Sequence, residues 1–277
     1  MFWFNGAIQE QPVVSFDLTD RGLNLGDGVF DTSLARNGHI FRRKSHIDRM
    51  ADAAEILGIP FDEMAAGTAL DALAEAIGDG AVRLTLTRGP GPRGLSFPKN
   101  PAPLLYGAAA AMHMPLFPVL KLGTTSIRRN ETSPASRIKA LPYLDSVLAL
   151  EQASARGADE VLFENTHSRV ACLATANIFA IFGRQLVTPP LSDGALAGTT
   201  RAFVLSKAHG LHFDVAERSL PLEKFSRADA LFATSSLRLI APCSQLDAIT
   251  YPSEANEIVM ELQASIKEVI ASECGRF

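Results

Sequence analysis

Two lysines sit where a nucleophilic amine would be useful. Lys139 lies in Arg137-Ile138-Lys139-Ala140-Leu141, and Lys121 lies between Leu120 and Leu122. An amine attacks a carbonyl only when neutral, and apolar neighbours favour the neutral form. A lysine that snorkels to the surface explains either setting, so local context does not choose between them. His46 and Arg49 are three residues apart and share a helix face. Such a pair holds an anion or stays solvated. Gly198-Thr199-Thr200-Arg201 opens a helix, where free amides and two hydroxyls suit a phosphate. Simple capping by threonine accounts for the same residues. Thr234-Ser235-Ser236 ends a strand with three more hydroxyls. Together with Arg49 these clusters make a phosphate site, on condition that the fold gathers them. Gly26-Asp27-Gly28 and Gly89-Pro90-Gly91 read as turns, since neither matches a dinucleotide fingerprint. No nucleophile elbow, P-loop or zinc-protease helix is present.

The elements that must position these residues follow from periodicity and breakers. Residues 3–8 read as a strand turning at Asn5-Gly6, and Phe41 closes another short strand. Ser45 is the expected cap of a helix, with Asp48 three residues on. Ile47, Met50, Ala54 and Leu57 recur at helical spacing until Gly58. A second helix runs near Thr68 to Ile77, and Val82 to Thr87 alternates like a strand. Met114-Pro115-Leu116-Phe117-Pro118 is the expected extended connector and domain boundary. Beyond it, Leu144 to Ala155 is helical and Glu160 to Phe163 is a buried strand. Residues 177–182 and 185–188 form a hairpin ended by Pro189-Pro190. Thr199 to Gly210 is a helix, Ala228 to Thr234 a strand, and the last helix covers Ser253 to Ser272. The class is α+β in two domains.

Composition narrows the function classes. The 277 residues carry a net charge of −4 with both signs mixed, so no basic stripe points to nucleic acid. Cys172, Cys243 and Cys274 lack metal-ligand spacing, so neither a metal nor a disulfide framework is expected. No apolar run reaches the ~18 residues of a membrane span. The N-terminus shows no basic region ahead of an apolar one, so a cytoplasmic chain is the expectation.

From about Phe4 to Asp247 the chain resembles the class IV, or fold type IV, pyridoxal-phosphate enzymes. These include branched-chain and D-amino acid aminotransferases and aminodeoxychorismate lyase. Asp20-Arg21-Gly22-Leu23-Asn24-Leu25-Gly26-Asp27-Gly28-Val29-Phe30 is similar to the family's N-terminal signature. His46 to Met50 is similar to the helix whose arginine binds the cofactor phosphate. Ser136 to Leu141 is similar to the segment of the Schiff-base lysine, followed by Leu144 to Ala149 and Gly157 to Val161. Asn177-Ile178-Phe179, Thr188 to Leu191, Leu196 to Arg201, and Ala228 through Ser236 to Pro242 follow in family order. The resemblance implies Lys139, not Lys121, as the Schiff-base and catalytic residue. It implies a phosphate site from Arg49, Thr199, Thr200 and Ser236, with Tyr143 facing the cofactor or simply packing. It also implies a smaller N-terminal α/β domain over 1–116, a linker over 117–124 and a larger cofactor-binding domain over 125–277. The cofactor would lie in the cleft between domains of a homodimer.

One departure bears on the chemistry. The family's pyridine-binding glutamate stands five residues before the Asn-Ile-Phe asparagine, and here that position is Cys172. Ser168 also replaces a usual glycine in the preceding turn. A carboxylate keeps the pyridine nitrogen protonated so that the ring takes up electrons. A thiol with an ordinary pKa of about 8.5 is a weak substitute. Thr87 to Gly94 is similar to a stretch of lyase-like members. Arg93 falls where D-amino acid enzymes hold the substrate carboxylate, but Leu95 replaces the histidine two residues on. Phe30 replaces their tyrosine. The implied activity is amino-group transfer between an amino acid and a 2-oxo acid. Elimination of pyruvate from 4-amino-4-deoxychorismate is the alternative. A cofactor-binding protein with weak or lost catalysis is a third reading, resting on Cys172.

Overall fold

A computed structural model describes residues 1–112, 116–211 and 213–275. Of the expected connector at 114–118, Met114 and Pro115 lie outside the described residues. The chain divides into two units. The first takes Met1–His113, Ile138–Pro142 and Ile270–Phe277, and the second takes Met114–Arg137 and Tyr143–Val269.

In the first unit, β1 (Phe2–Phe4) and β2 (Ala7–Gln9) turn at Asn5 and Gly6. Both turn residues have positive φ, as a tight hairpin requires. The short helix α1 (Arg21–Leu25) starts at Asp20, whose side chain accepts from the Leu23 amide at 3.1 Å. Next come β3 (Gly28–Arg36), β4 (His39–Ile40), α2 (Arg43–Leu57), α3 (Glu63–Ile77), β5 (Gly80–Thr87) and β6 (Leu104–Ala111). The six strands form an antiparallel sheet in the order β2-β1-β6-β5-β3-β4. Asp62 caps α3, and Ala66, Ala69, Leu70, Leu73 and Ala74 bury one face of it. His46, Ile47, Met50, Ala53 and Ala54 bury the corresponding face of α2.

Ser45 does not cap α2. The helix begins two residues earlier, because the strand at Ile40 turns directly into it through Arg42 at φ 56°. The Arg42 amide finds its acceptor in Glu273 at 2.8 Å. Asp48 faces outward and accepts from Lys44 one turn before it.

The second unit contains β7 (Leu120–Thr124), α4 (Pro134–Arg137), α5 (Leu144–Ser154), β8 (Glu160–Glu164), β9 (Val170–Leu173), β10 (Asn177–Phe182) and β11 (Gln185–Thr188). It continues with α6 (Thr199–Gly210), β12 (Asp214–Glu217), α7 (Leu222–Phe225), β13 (Ala230–Ser235), β14 (Leu239–Leu246) and β15 (Ile249–Thr250). The last helix, α8 (Glu257–Cys274), follows a short 3-10 turn at Ser253–Ala255. The nine strands form a mixed sheet, β12-β11-β10-β13-β14-β7-β8-β9, with β15 paired to β14. The core is apolar on both sheet faces: Leu162, Leu173, Ile178 and Leu231 pack in one cluster. Val161, Phe163, Cys172, Ala149 and Ala153 pack in another. Ser168 has φ 55°, so the turn keeps the left-handed backbone for which glycine is suited.

Candidate active site

Lys139 belongs to the first unit despite its place in the chain. Its segment runs beside the start of β3: the Phe30 amide donates to the Lys139 carbonyl at 2.9 Å, and the Leu141 amide to the Gly28 carbonyl at 3.1 Å. Val29 and Ala140 form an antiparallel bridge. Cross-strand neighbours share a face, so Lys139 projects on the same side as Phe30. Its Nζ lies 4.4 Å from the Phe30 ring centroid. Ile138 and Ala140 on either side are buried in the core, while Lys139 is half-buried. Lys121, its sequence rival, is exposed on β7. The structure therefore separates two lysines that local sequence leaves equivalent.

The next residue of β3 serves the opposite face. Asp31 points toward α2, where Oδ1 lies 2.7 Å from His46 Nδ1 and Oδ2 accepts from Arg49 Nε at 2.7 Å. Burial pushes this carboxyl up, but the Arg49 guanidinium and then His46 outweigh it and hold it well below the usual carboxylate range. Asp31 thus fixes Arg49 through Nε, while Arg49 Nη2 lies 3.5 Å from His46 Nδ1. Sequence reasoning missed Asp31. The pair at His46 and Arg49 was the available signal, since a guanidinium beside an imidazole on one helix face calls for an acceptor partner.

Arg93 lies in the irregular connection between β5 and β6 and is exposed. Phe30 is buried.

In the second unit, α6 begins at Gly198 with no side-chain cap. Its first amides therefore lack partners within the helix. A Cβ at Gly198 would lie 2.1 Å from Asn177 Oδ1, so glycine is what lets the helix start here. Asn177 fixes the approach by donating from Nδ2 to the Leu196 carbonyl at 2.8 Å. Thr200 Oγ1 donates to the Ser235 carbonyl at 3.0 Å, which ties the helix start to the end of β13. The fold thus joins the threonine pair to the turn carrying Ser236. Thr234 Oγ1 is buried without a hydrogen-bond partner. Uncapped amides, clustered hydroxyls and an unpartnered buried hydroxyl form a donor set for an oxyanion. Tyr143 precedes the first residue of α5 and is half-buried.

Cys172 sits on β9 opposite Phe163. Burial pushes its thiol up and Glu160 adds to that, against a lowering by Arg129. The thiol therefore stays protonated at neutral pH. Neither nearby glutamate substitutes for the missing carboxylate. Glu160 pairs with Arg238 at 2.9 Å, accepts from Thr175, and alternates onto the opposite pleat from Cys172. Glu164 pairs with Arg128.

The chain belongs to the family described as amino-transferase class IV, which matches residues 28–246. A Methanocaldococcus jannaschii protein that carries the name branched-chain-amino-acid aminotransferase is 32% identical, covering 96% of this chain and 95% of its own. Aminodeoxychorismate lyase of Bacillus subtilis is 27% identical over 100% of this chain and 98% of its own. The crystal structure of 4-amino-4-deoxychorismate lyase from Pseudomonas aeruginosa superposes with a TM-score of 0.87 at 29% identity, covering 97% and 98% of the two chains. The protein is thus an enzyme of fold type IV, a family that depends on pyridoxal phosphate. The donor set at α6 fits the phosphate of that cofactor. Cys172 does not fit the task of holding a proton on the pyridine nitrogen. Among the described residues no helix is long and apolar enough to cross a membrane.

Proposed function

We propose that the protein transfers an amino group between an amino acid and a 2-oxo acid, with Lys139 as the catalytic amine. The observation that carries this reading is the placement of Lys139: half-buried, docked through its backbone on β3, with its amine against Phe30. Pyridoxal phosphate supplies an aldehyde for imine formation and a ring that takes up electrons from the substrate carbon. Lys139 Nζ would hold the cofactor and, as a free amine, would remove and return the proton at the substrate α-carbon. Thr199, Thr200, Ser236 and the first amides of α6 bind the phosphate, and Arg49 adds charge. Tyr143 packs on the cofactor. Phe30 and Arg93 shape the substrate pocket, with Arg93 binding a carboxylate. Cys172 takes the family's position for the pyridine-binding carboxylate, and a neutral thiol there would leave the ring nitrogen less protonated than a carboxylate would. Proton removal is therefore slower than in an enzyme with glutamate there. The same family supports a homodimer acting on small amino and keto acids.

A second reading, aminodeoxychorismate lyase, is favoured by similarity to two proteins of that name and by the Arg88 to Gly94 stretch. It uses the same lysine, but a leaving group departs and pyruvate is released. The third, a cofactor-binding protein with little turnover, is favoured by the raised thiol of Cys172. The test is an absorbance spectrum of the purified protein with and without borohydride, followed by a panel of D- and L-amino acids. Spectral cycling that depends on a keto acid supports transamination. Pyruvate from aminodeoxychorismate supports the lyase. Bound cofactor with neither response supports the third reading.

A further inference from the structure

Between β5 and β6 the chain crosses residues 88–103 without regular structure, and residues 92–97 are exposed. A segment so rich in glycine and proline, with its side chains in water, has little burial of its own to hold one conformation. One buried side chain supplies what burial does not. Arg21, only 4% exposed, donates from Nη1 to the carbonyls of Gly94 at 3.1 Å and Ser96 at 3.2 Å. From Nη2 it donates to the Leu95 carbonyl at 3.2 Å. Three consecutive carbonyls thus converge on a single guanidinium. Gly91 lets the loop come this close, because a Cβ there would lie 2.9 Å from Arg21 Cδ.

The guanidinium is itself aimed by Asp27. Asp27 Oδ2 accepts from Arg21 Nε at 2.8 Å and from Arg88 Nε at 2.7 Å. Burial pushes the Asp27 carboxyl up, but Arg88 and Arg21 outweigh it and keep it ionised. Two cations share one anion, so one positive charge remains to be solvated. Arg88 directs its remaining nitrogens to the Gly58 and Leu57 carbonyls at the end of α2, at 3.0 and 2.7 Å. Arg21 directs its own to the loop. Phe97 closes the arrangement, with its ring centroid 3.8 Å from the Arg88 guanidinium carbon.

We infer that Arg21 is a positioning residue. It fixes the 94–96 backbone, and through it the adjacent Arg93, so that Arg21 sets affinity for the substrate carboxylate without touching substrate. The link to substrate rests on the proposed role of Arg93; the hold on the loop does not. Lysine cannot replace Arg21, since one ammonium does not span Asp27 and three carbonyls in fixed directions.

The experiment compares wild type, Arg21→Ala, Arg21→Lys and Arg93→Ala holoenzymes in two assays. Trypsin cleavage after Arg93, followed by mass spectrometry, reads the loop. Cleavage tracks the open population, so it should rise at least about tenfold in Arg21→Ala and less in Arg21→Lys. Guanidinium ion at millimolar concentration should slow it again in Arg21→Ala only. Steady-state kinetics read the site: KM for the amino acid should rise about tenfold in Arg21→Ala, with kcat within about twofold. An unchanged cleavage rate overturns the proposal outright. Faster cleavage with unchanged KM overturns the link to substrate. If wild type shows no turnover at all, the proposed function fails while the cleavage assay still decides the role of Arg21. Should Arg21→Ala fail to fold, Arg21→Lys and Asp27→Asn carry the same comparison.

Discussion

Replacing Asp31 with asparagine keeps the side-chain shape and removes the charge between His46 and Arg49. Asp31 is 2% exposed and both its oxygens are engaged at 2.7 Å. Removing one partner of a buried ion pair costs about 3–5 kcal/mol, because the other charge stays desolvated. The Arg49 side chain keeps 12% exposure, which allows some rehydration, so the lower end of that range, about 3 kcal/mol, is expected. For a chain of this size, about 1 kcal/mol moves Tm by roughly 2–4 °C, giving a drop of about 6–12 °C. The sign with pH follows from the direction of the shift. The folded carboxyl titrates below its ordinary value of 3.8, so its contribution is complete above that value and is lost as pH falls below it. Wild type should therefore lose stability on acidification below about pH 4 more steeply than Asp31→Asn. Thermal unfolding followed by near-UV circular dichroism, from pH 7 down to about pH 2, measures both effects. A variant that melts within about 2 °C of wild type, with the same acid slope, refutes the reasoning.

Three further outcomes are expected. Cys172→Glu should raise the single-turnover rate with an amino donor, because a carboxylate replaces a neutral thiol; an equal or slower rate counts against the role given to Cys172. Lys139→Ala should lose the cofactor mass that borohydride fixes on its peptide, whereas Lys121→Ala should keep it. Gly198→Ala brings a Cβ to 2.1 Å from Asn177 Oδ1, so cofactor affinity should fall and stability should drop by about 1–3 kcal/mol, read by cofactor titration and denaturant unfolding.

Elements with a clean period were legible in the sequence, and those governed by distant partners were not. The 177–188 hairpin and the 199–210 helix form where spacing and breakers put them. β3 went unread because Asp31 and Ser33 interrupt its apolar alternation. Both are buried, and Asp31 is satisfied by α2 rather than by neighbours in sequence. β6 carries four alanines, which favour helix, yet it pairs along its length with β5. β14 holds Pro242 in the interior of the sheet, a position that argues against a strand. At the site, the hydroxyls of α6 and β13 were readable as a conditional cluster. The choice of lysine was not, because burial of Lys139 comes from β3, more than a hundred residues earlier.

That long-range pairing also explains how one strand organises unlike chemistry. Along β3, Phe30 faces the Lys139 amine, and Asp31, one residue on, faces α2 and fixes Arg49. Strand alternation makes these two tasks inseparable in register: a slip by one residue would turn the carboxylate toward the amine and the ring toward the arginine. The backbone bonds at Gly28 and Phe30 to the Lys139 segment pin that register from the other side. The same alternation rule, applied to β8 and β9, keeps the Glu160 carboxylate off the Cys172 face. A carboxylate at position 172 is therefore the direct way for this sheet to present one there, and its absence is a property of the chain's chemistry rather than of its fold.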